Sequence, residues 1–252
     1  MDVQFAGMFQ MVEPPKDPQS DMVLRCRRFQ ESIGKWDGRI TAYGAMPFCR
    51  PDLMLHHLDM GIQEASEAWD MLEGGWKHHK TKPKPADEFE VLSELVDVAH
   101  FVFNAYLYAG GEPDADSVAV LAARSKQELK LPTIGIEEVW GIGVRSWDRK
   151  GHRLRAMYGH GDGAHGADWE KETATRVNYL RSKIFEVAST VRFGMDQASG
   201  PIPTAPGYIY IEIVPWLVGA AAAIPSCDRW EVFYSAFVSK NEINFKRQAG
   251  GY

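Results

Sequence analysis

Residues 87–111, DEFEVLSELVDVAHFVFNAYLYAGG, decide how this chain is read. Asp87 is a helix-capping residue type, Gly110-Gly111 supply a stop, and nothing between them breaks a helix. Val91, Leu92, Leu95, Val96, Val98, Ala99, Phe101, Val102 and Phe103 put apolar side chains on nearly every side, so the helix is predicted to be buried. Two acids, Glu94 and Asp97, stand inside this run three residues apart, which places them on one face. Burying each without compensation costs on the order of several kcal/mol. Acids are rarely buried unpaired, so a compensating cation is expected.

The preceding helix repeats the spacing. Pro51-Asp52 opens it, Gly74-Gly75 closes it, and it carries Glu64 and Glu67, again three apart. Pro83-Lys84-Pro85 then breaks the chain. A link this short predicts antiparallel packing, which lets the four carboxylates converge. Asp70 extends the acidic face, and Asp59 lies toward its edge. Taken alone, Glu64 and Glu67 could equally face solvent, as helical glutamates usually do. A hard divalent cation with oxygen ligands would relieve the crowding, and Mg²⁺ in particular usually brings phosphate as a further ligand.

Helix signals dominate elsewhere. Residues 20–36 read as a basic amphipathic helix, and Glu112-Pro113-Asp114 starts a fourth helix that fades near Leu131-Pro132. Gly141 to Asp168 lacks periodicity and reads as loop. Trp169 to Phe193 is helical, ending at Gly194, and Gly200-Pro201 through Pro206-Gly207 is another loop. Residues 208–224 leave two readings open: Tyr208, Ile209, Tyr210 and Ile211 favour strand, whereas four alanines favour helix. Asp228 can cap a last helix reaching about Gln248. The predicted fold class is all-α, a helical bundle with a loop-rich insertion.

Composition narrows the function classes. The 252 residues are 45% hydrophobic and 25% charged, an ordinary globular balance without repeats or low-complexity tracts. Twenty-eight basic against 34 acidic residues give a net charge of −6, which speaks against a nucleic-acid binder with a broad basic surface. Cys26, Cys49 and Cys227 show no CxxC spacing, excluding a disulfide scaffold and a thiolate zinc site. The most apolar run, Ile209 to Ile224, is short for a membrane span and contains Glu212, Pro215 and Gly219. With no signal-peptide pattern at Met1-Asp2-Val3-Gln4, a soluble cytoplasmic protein without membrane or nucleic-acid partners is expected.

These motifs carry a resemblance. Glu64xxGlu67 followed by Glu94xxAsp97 resembles the ExxE…ExxD metal motif of the all-α, MazG-like nucleoside triphosphate pyrophosphatases. More closely, the chain resembles the dimeric dUTPases and the related phage dCTP/dUTP pyrophosphatases. Trp76-Lys77-His78-His79-Lys80 is similar to that family's Trp-Lys segment, and His100-Phe101 to its His-Phe. KNEINFKRQAGGY at 240–252 is similar to its KNxxNxxRQxxGY ending. The matches cover about 51–111 and 228–252. One domain over 1–252 is therefore expected, its core at 20–111 and 228–252, with an insertion or mobile subdomain at about 112–227.

The resemblance implies a homodimer that hydrolyses dUTP to dUMP and pyrophosphate, with dUDP a further substrate, in the cytoplasm (the host's, if phage-encoded). It implies two or more Mg²⁺ ions, Mn²⁺ substituting, on Glu64, Glu67, Glu94 and Asp97. Such ions clamp phosphate oxygens and lower the pKa of a bound water, which Glu67 would orient toward the β-phosphorus. Lys240, Asn244 and Arg247, at i, i+4 and i+7, form one helical stripe that can grip phosphate or simply be a solvated basic helix end. Trp76, Lys77, His100, Asn104 and Asn241 are implied substrate-binding residues, although Trp76 and His100 equally suit a core tryptophan and a satisfied buried histidine. Gln30 stands where the family carries its pyrimidine-reading Gln, and Gln10 is a weaker candidate. The Asn that follows in the family is missing, since Ile33 and Gly34 come next. That departure keeps dCTP and purine nucleotides as alternative substrates.

Other features have plainer readings. Gly159 to Gly166, with His160, Asp162 and His165, reads as a glycine loop or a metal site. Arg145, Arg149, Lys150, Arg153 and Arg155 form a basic cluster that could close over phosphates or be solvated surface. Two other function classes compete: a di-iron carboxylate oxidoreductase, for which only Asp97xxHis100 supplies a suitably spaced histidine, and a non-catalytic regulator-binding protein on the same scaffold.

Overall fold

Six α-helices make up the regular structure of the described residues: α1 (Pro18–Ser32), α2 (Pro51–Met71), α3 (Glu88–Tyr108), α4 (Trp169–Gln197), α5 (Ala205–Ala221) and α6 (Trp230–Ala249). They belong to a computed structural model that describes residues 9–35, 50–72, 85–112, 169–197, 205–227 and 230–250. Among these residues there is no strand, so the described part of the chain is all-α.

Local chemistry sets the helix ends. Asp17 accepts the Ser20 N–H at 3.2 Å ahead of Pro18 in the first turn of α1, and Gly34 takes φ 67° just beyond its end. Asp87 accepts from the Phe89 and Glu90 N–H groups and caps α3 as its position suggests. The apolar run behind that cap is buried on all sides: Leu92, Leu95, Val96, Ala99 and Leu107 have no exposed surface.

Side-chain pairings define the packing. α2 and α3 lie antiparallel, with the Arg50 N–H donating to the Tyr108 carbonyl at one end and Glu64 meeting Glu94 and Asp97 toward the other. α4 runs antiparallel to α2, since the Arg181 guanidinium sits 5.0 Å over Trp69 and Arg192 reaches Asp59 at 3.6 Å. α5 runs antiparallel to α4, pairing Glu212 with Lys183 at 3.2 Å and the Gly219 carbonyl with Arg176 at 2.7 Å. It is also antiparallel to α3, through Tyr106 against Tyr210 and Glu88 against Ser226. The ring α2–α3–α5–α4 is therefore a four-helix bundle in which neighbours alternate in direction. α1 and α6 pack on each other and on α3, joined by Tyr234 to Asp21 at 2.7 Å and Phe29 edge-on to Phe245.

Two differences from the sequence expectations stand out. Residues 208–221 resolve as helix and 222–224 as a turn, and α5 begins at Ala205, inside the stretch read as loop. Ile209, Ile213, Leu217 and Ala220 form a fully buried stripe at helical spacing, and that packing overrides the β-branched start. Pro206 falls in the first turn, where a missing N–H costs little, whereas Pro215 interrupts the interior at a partly exposed position. The second difference concerns 112–227: α4 and α5 come from that stretch, yet they supply half of the bundle beside α2 and α3. The fourth helix, the Gly141–Asp168 loop with its histidines and basic cluster, Gly74-Gly75 and Asp228 lie outside the described residues. No helix among the described residues is long and apolar enough to cross a membrane.

Candidate metal centre

The site is built where α2 crosses the acid-bearing turn of α3. One carboxylate oxygen from each of Glu64, Glu94 and Asp97 lies within 4.8 Å of the others, and all three side chains are half-buried. Antiparallel packing produces this group, because Glu94 and Asp97 share a face of α3 and Glu64 faces them from α2. Glu67 stays outside the group. It is exposed one turn along α2, where Gln63 donates to its Oε1 at 3.0 Å. Thus three of the four expected ligands meet, and the fourth stands beside them.

Crowding is written into the protonation of these acids. Burial pushes the Glu64 carboxyl up to about 7, helped by the charges of Asp97 and Glu67 and by a hydrogen bond it donates to Glu94. Burial and the charge of Asp97 raise Glu94 as well. Desolvation raises Asp97 despite a countering lysine. That lysine is Lys240 of α6, whose Nζ lies 2.6 Å from Asp97 Oδ2 and donates to Ser93 Oγ at 3.0 Å. Three carboxyls with one ammonium, donors all oxygen, form a set that suits a hard divalent cation.

The other expected site residues fall into two groups. Asn244 is half-buried and Arg247 exposed farther along α6, and the Arg247 charge is felt at Asp97. His100, Asn104 and Asn241 are instead core residues, 8%, 5% and 2% exposed. His100 stacks on Phe237 with ring centres 4.1 Å apart. Its Nδ1 is 2.9 Å from the Val96 carbonyl, which can only accept, so Nδ1 carries the proton and Nε2 faces the Asn241 amide at 3.5 Å. Burial holds the imidazole down at about 4, hence neutral. His100 is thus engaged on both sides and absent from the acid group, an arrangement unlike a histidine-ligated di-iron site. Asn104 Oδ1 is buried with no hydrogen-bond partner.

Gln30 is buried at the far end of α3, where it accepts from Tyr108 Oη at 3.0 Å. Tyr108 stands eleven positions after Asp97 in the helix, about 16 Å along its axis. Trp76 and Lys77 lie outside the described residues. Ser93 and Phe237 escaped the sequence reading. Ser93 sits one turn before Asp97 on its face and Phe237 one turn before Lys240, so helical spacing could have flagged both.

Comparisons of the chain with protein-family models, with curated proteins and with solved structures find no match.

Proposed function

We infer that the chain is a Mg²⁺-dependent nucleoside triphosphate pyrophosphohydrolase of the all-α, MazG-like kind, acting on dUTP. The observation carrying this reading is the meeting of Glu64, Glu94 and Asp97 from adjacent helices beside a lysine from a third. Glu64, Glu94 and Asp97 would hold the cation. Bound there, Mg²⁺ supplies positive charge for phosphate oxygens and lowers the pKa of water. Glu67, exposed at the rim with one oxygen held by Gln63, has a second oxygen to orient a water and accept its proton. Attack on the β-phosphorus breaks its bond to the oxygen shared with the α-phosphate, giving dUMP and pyrophosphate. Asn244 and Arg247 stand one and two turns beyond Lys240 to receive phosphate oxygens, Arg247 in bidentate fashion. A homodimer and a cytoplasmic setting belong to the same reading.

One observation favours a second substrate reading. Gln30 is engaged with Tyr108 about three to four turns of α3 away from the acids, and no Asn follows it. The same chemistry on dCTP or a purine deoxynucleoside triphosphate is therefore the alternative. The test is pyrophosphate release with Mg²⁺ across the common deoxynucleoside tri- and diphosphates. The expected result is release that Glu94→Gln and Asp97→Asn abolish while helical circular dichroism is retained. No release from any of these substrates refutes the enzyme reading.

A further inference from the structure

Lys240 belongs by its spacing to the phosphate-facing stripe, yet its ammonium is not directed there. It is seated on α3, between Asp97 Oδ2 at 2.6 Å and Ser93 Oγ at 3.0 Å, with side-chain exposures of 22% for the lysine and 18% for the aspartate. Two oxygens one turn apart on the acid-bearing helix thus hold the cation. We propose that Lys240 is a displaceable internal counter-ion: it neutralises the acid cluster while no metal is present, and leaves Asp97 when a divalent cation arrives. This rests on the metal-centre reading given above.

The physical case has three parts. A divalent cation on the Asp97 carboxylate and an ammonium at hydrogen-bond distance from it repel one another, so each weakens the other's hold. Lysine suits the exchange, because its ammonium is a compact charge on a flexible stem, without the fixed fork by which arginine locks onto a carboxylate. Asn244 and Arg247 continue the same stripe of α6, Asn244 half-buried and Arg247 exposed, so the released ammonium joins a stripe with a second cation on it. An anion arriving with the metal would meet Lys240 there. Metal and anion binding are then coupled through one side chain, and the coupling is reciprocal.

The experiment is Mn²⁺ titration of the whole chain, followed by the electron paramagnetic resonance of free Mn²⁺, without nucleotide and with α,β-imido-dUTP. Lys240→Gln is expected to bind Mn²⁺ alone about fivefold more tightly, the scale of a partly exposed ion pair. The same variant should bind the imido nucleotide more weakly. Lys240→Arg, which keeps the charge and adds the fork, should bind Mn²⁺ no more tightly than the wild type. Ser93→Ala, which only loosens the tether, should shift Mn²⁺ affinity in the same sense by about twofold, and it serves if Lys240→Gln fails to fold. Unchanged or weaker Mn²⁺ binding in both Lys240→Gln and Ser93→Ala overturns the counter-ion role and leaves the metal centre standing. Absence of saturable Mn²⁺ binding by the wild type overturns both.

Discussion

If the acid cluster exists to hold a cation, removing one of its charges should stabilise the metal-free fold while abolishing its response to metal. Glu94→Gln is the sharpest perturbation, since glutamine keeps the shape and can still accept the hydrogen bond from Glu64. Carboxylate oxygens within 4.8 Å repel by about 3 kcal/mol per ionised pair at an effective dielectric near 20, and by about 1 kcal/mol in bulk water. These groups are half-buried, Glu64 carries a proton through part of the neutral range, and the variant also loses attraction to Lys240. A net gain of about 1 kcal/mol remains, or about 2–4 °C in Tm for a chain of this size. The assay is thermal unfolding at pH 8 in EDTA and again over a Mg²⁺ series. The folded-state pKa of Glu64, at about 7, lies above its ordinary 4.5, so the folded chain retains a proton that the unfolded chain releases. Its contribution is thus a stability loss that grows as pH rises through that interval, and the advantage of Glu94→Gln should shrink on going from pH 8 to pH 5. Mg²⁺ should raise the wild-type Tm and leave the variant nearly unmoved. A metal-free variant melting several degrees below the wild type, or equal Mg²⁺ shifts in both, would refute the reasoning.

Two more outcomes follow from the bundle. Arg176 is 7% exposed, donates to the Gly219 carbonyl at the end of α5 and pairs with Glu172, so Arg176→Ala should cost about 3 kcal/mol in chemical denaturation with no change in Mn²⁺ affinity. His100, held down at about 4 by burial, should show its imidazole NMR titration near that pH rather than near 6.5. Because the unfolded chain takes up that proton first, the His100 contribution to stability should fall as pH drops from about 6.5 toward 4, opposite in sense to that of Glu64, and a histidine titrating above pH 6 would contradict its placement in the core.

What the sequence reveals here follows the range of each interaction. The cap at Asp87, the buried character of α3 and the antiparallel pairing of α2 with α3 depend on residues within a few turns or on helices consecutive in sequence, and all are readable. The meeting of Glu64 with Glu94 and Asp97 is readable for the same reason, since helical spacing and one turn-around place them. Residues 208–224 could not be decided locally, because burial of Ile209, Ile213 and Leu217 against α3 and α4 settles them. That α4 and α5 close a four-helix ring with α2 and α3 was hidden likewise: an amphipathic pattern says that a face is covered but does not name its cover. From its sequence position His100 suits a site or a core equally, and Phe237 and Asn241 of α6, packed against it, decide for the core.

The lysine on Asp97 has a consequence for how the chain is made. Lys240 and its acceptor Ser93 are 147 residues apart in sequence. At roughly 5–20 residues per second of synthesis, the acid-bearing hairpin of α2 and α3 waits about ten seconds or more for its internal cation. Its apolar flanks wait about half as long for α4 to begin and longer for α5. During that interval Lys240 cannot neutralise the three acids, whereas dissolved cations can, so the Mg²⁺ level at which the chain folds should influence how much of it reaches the native state.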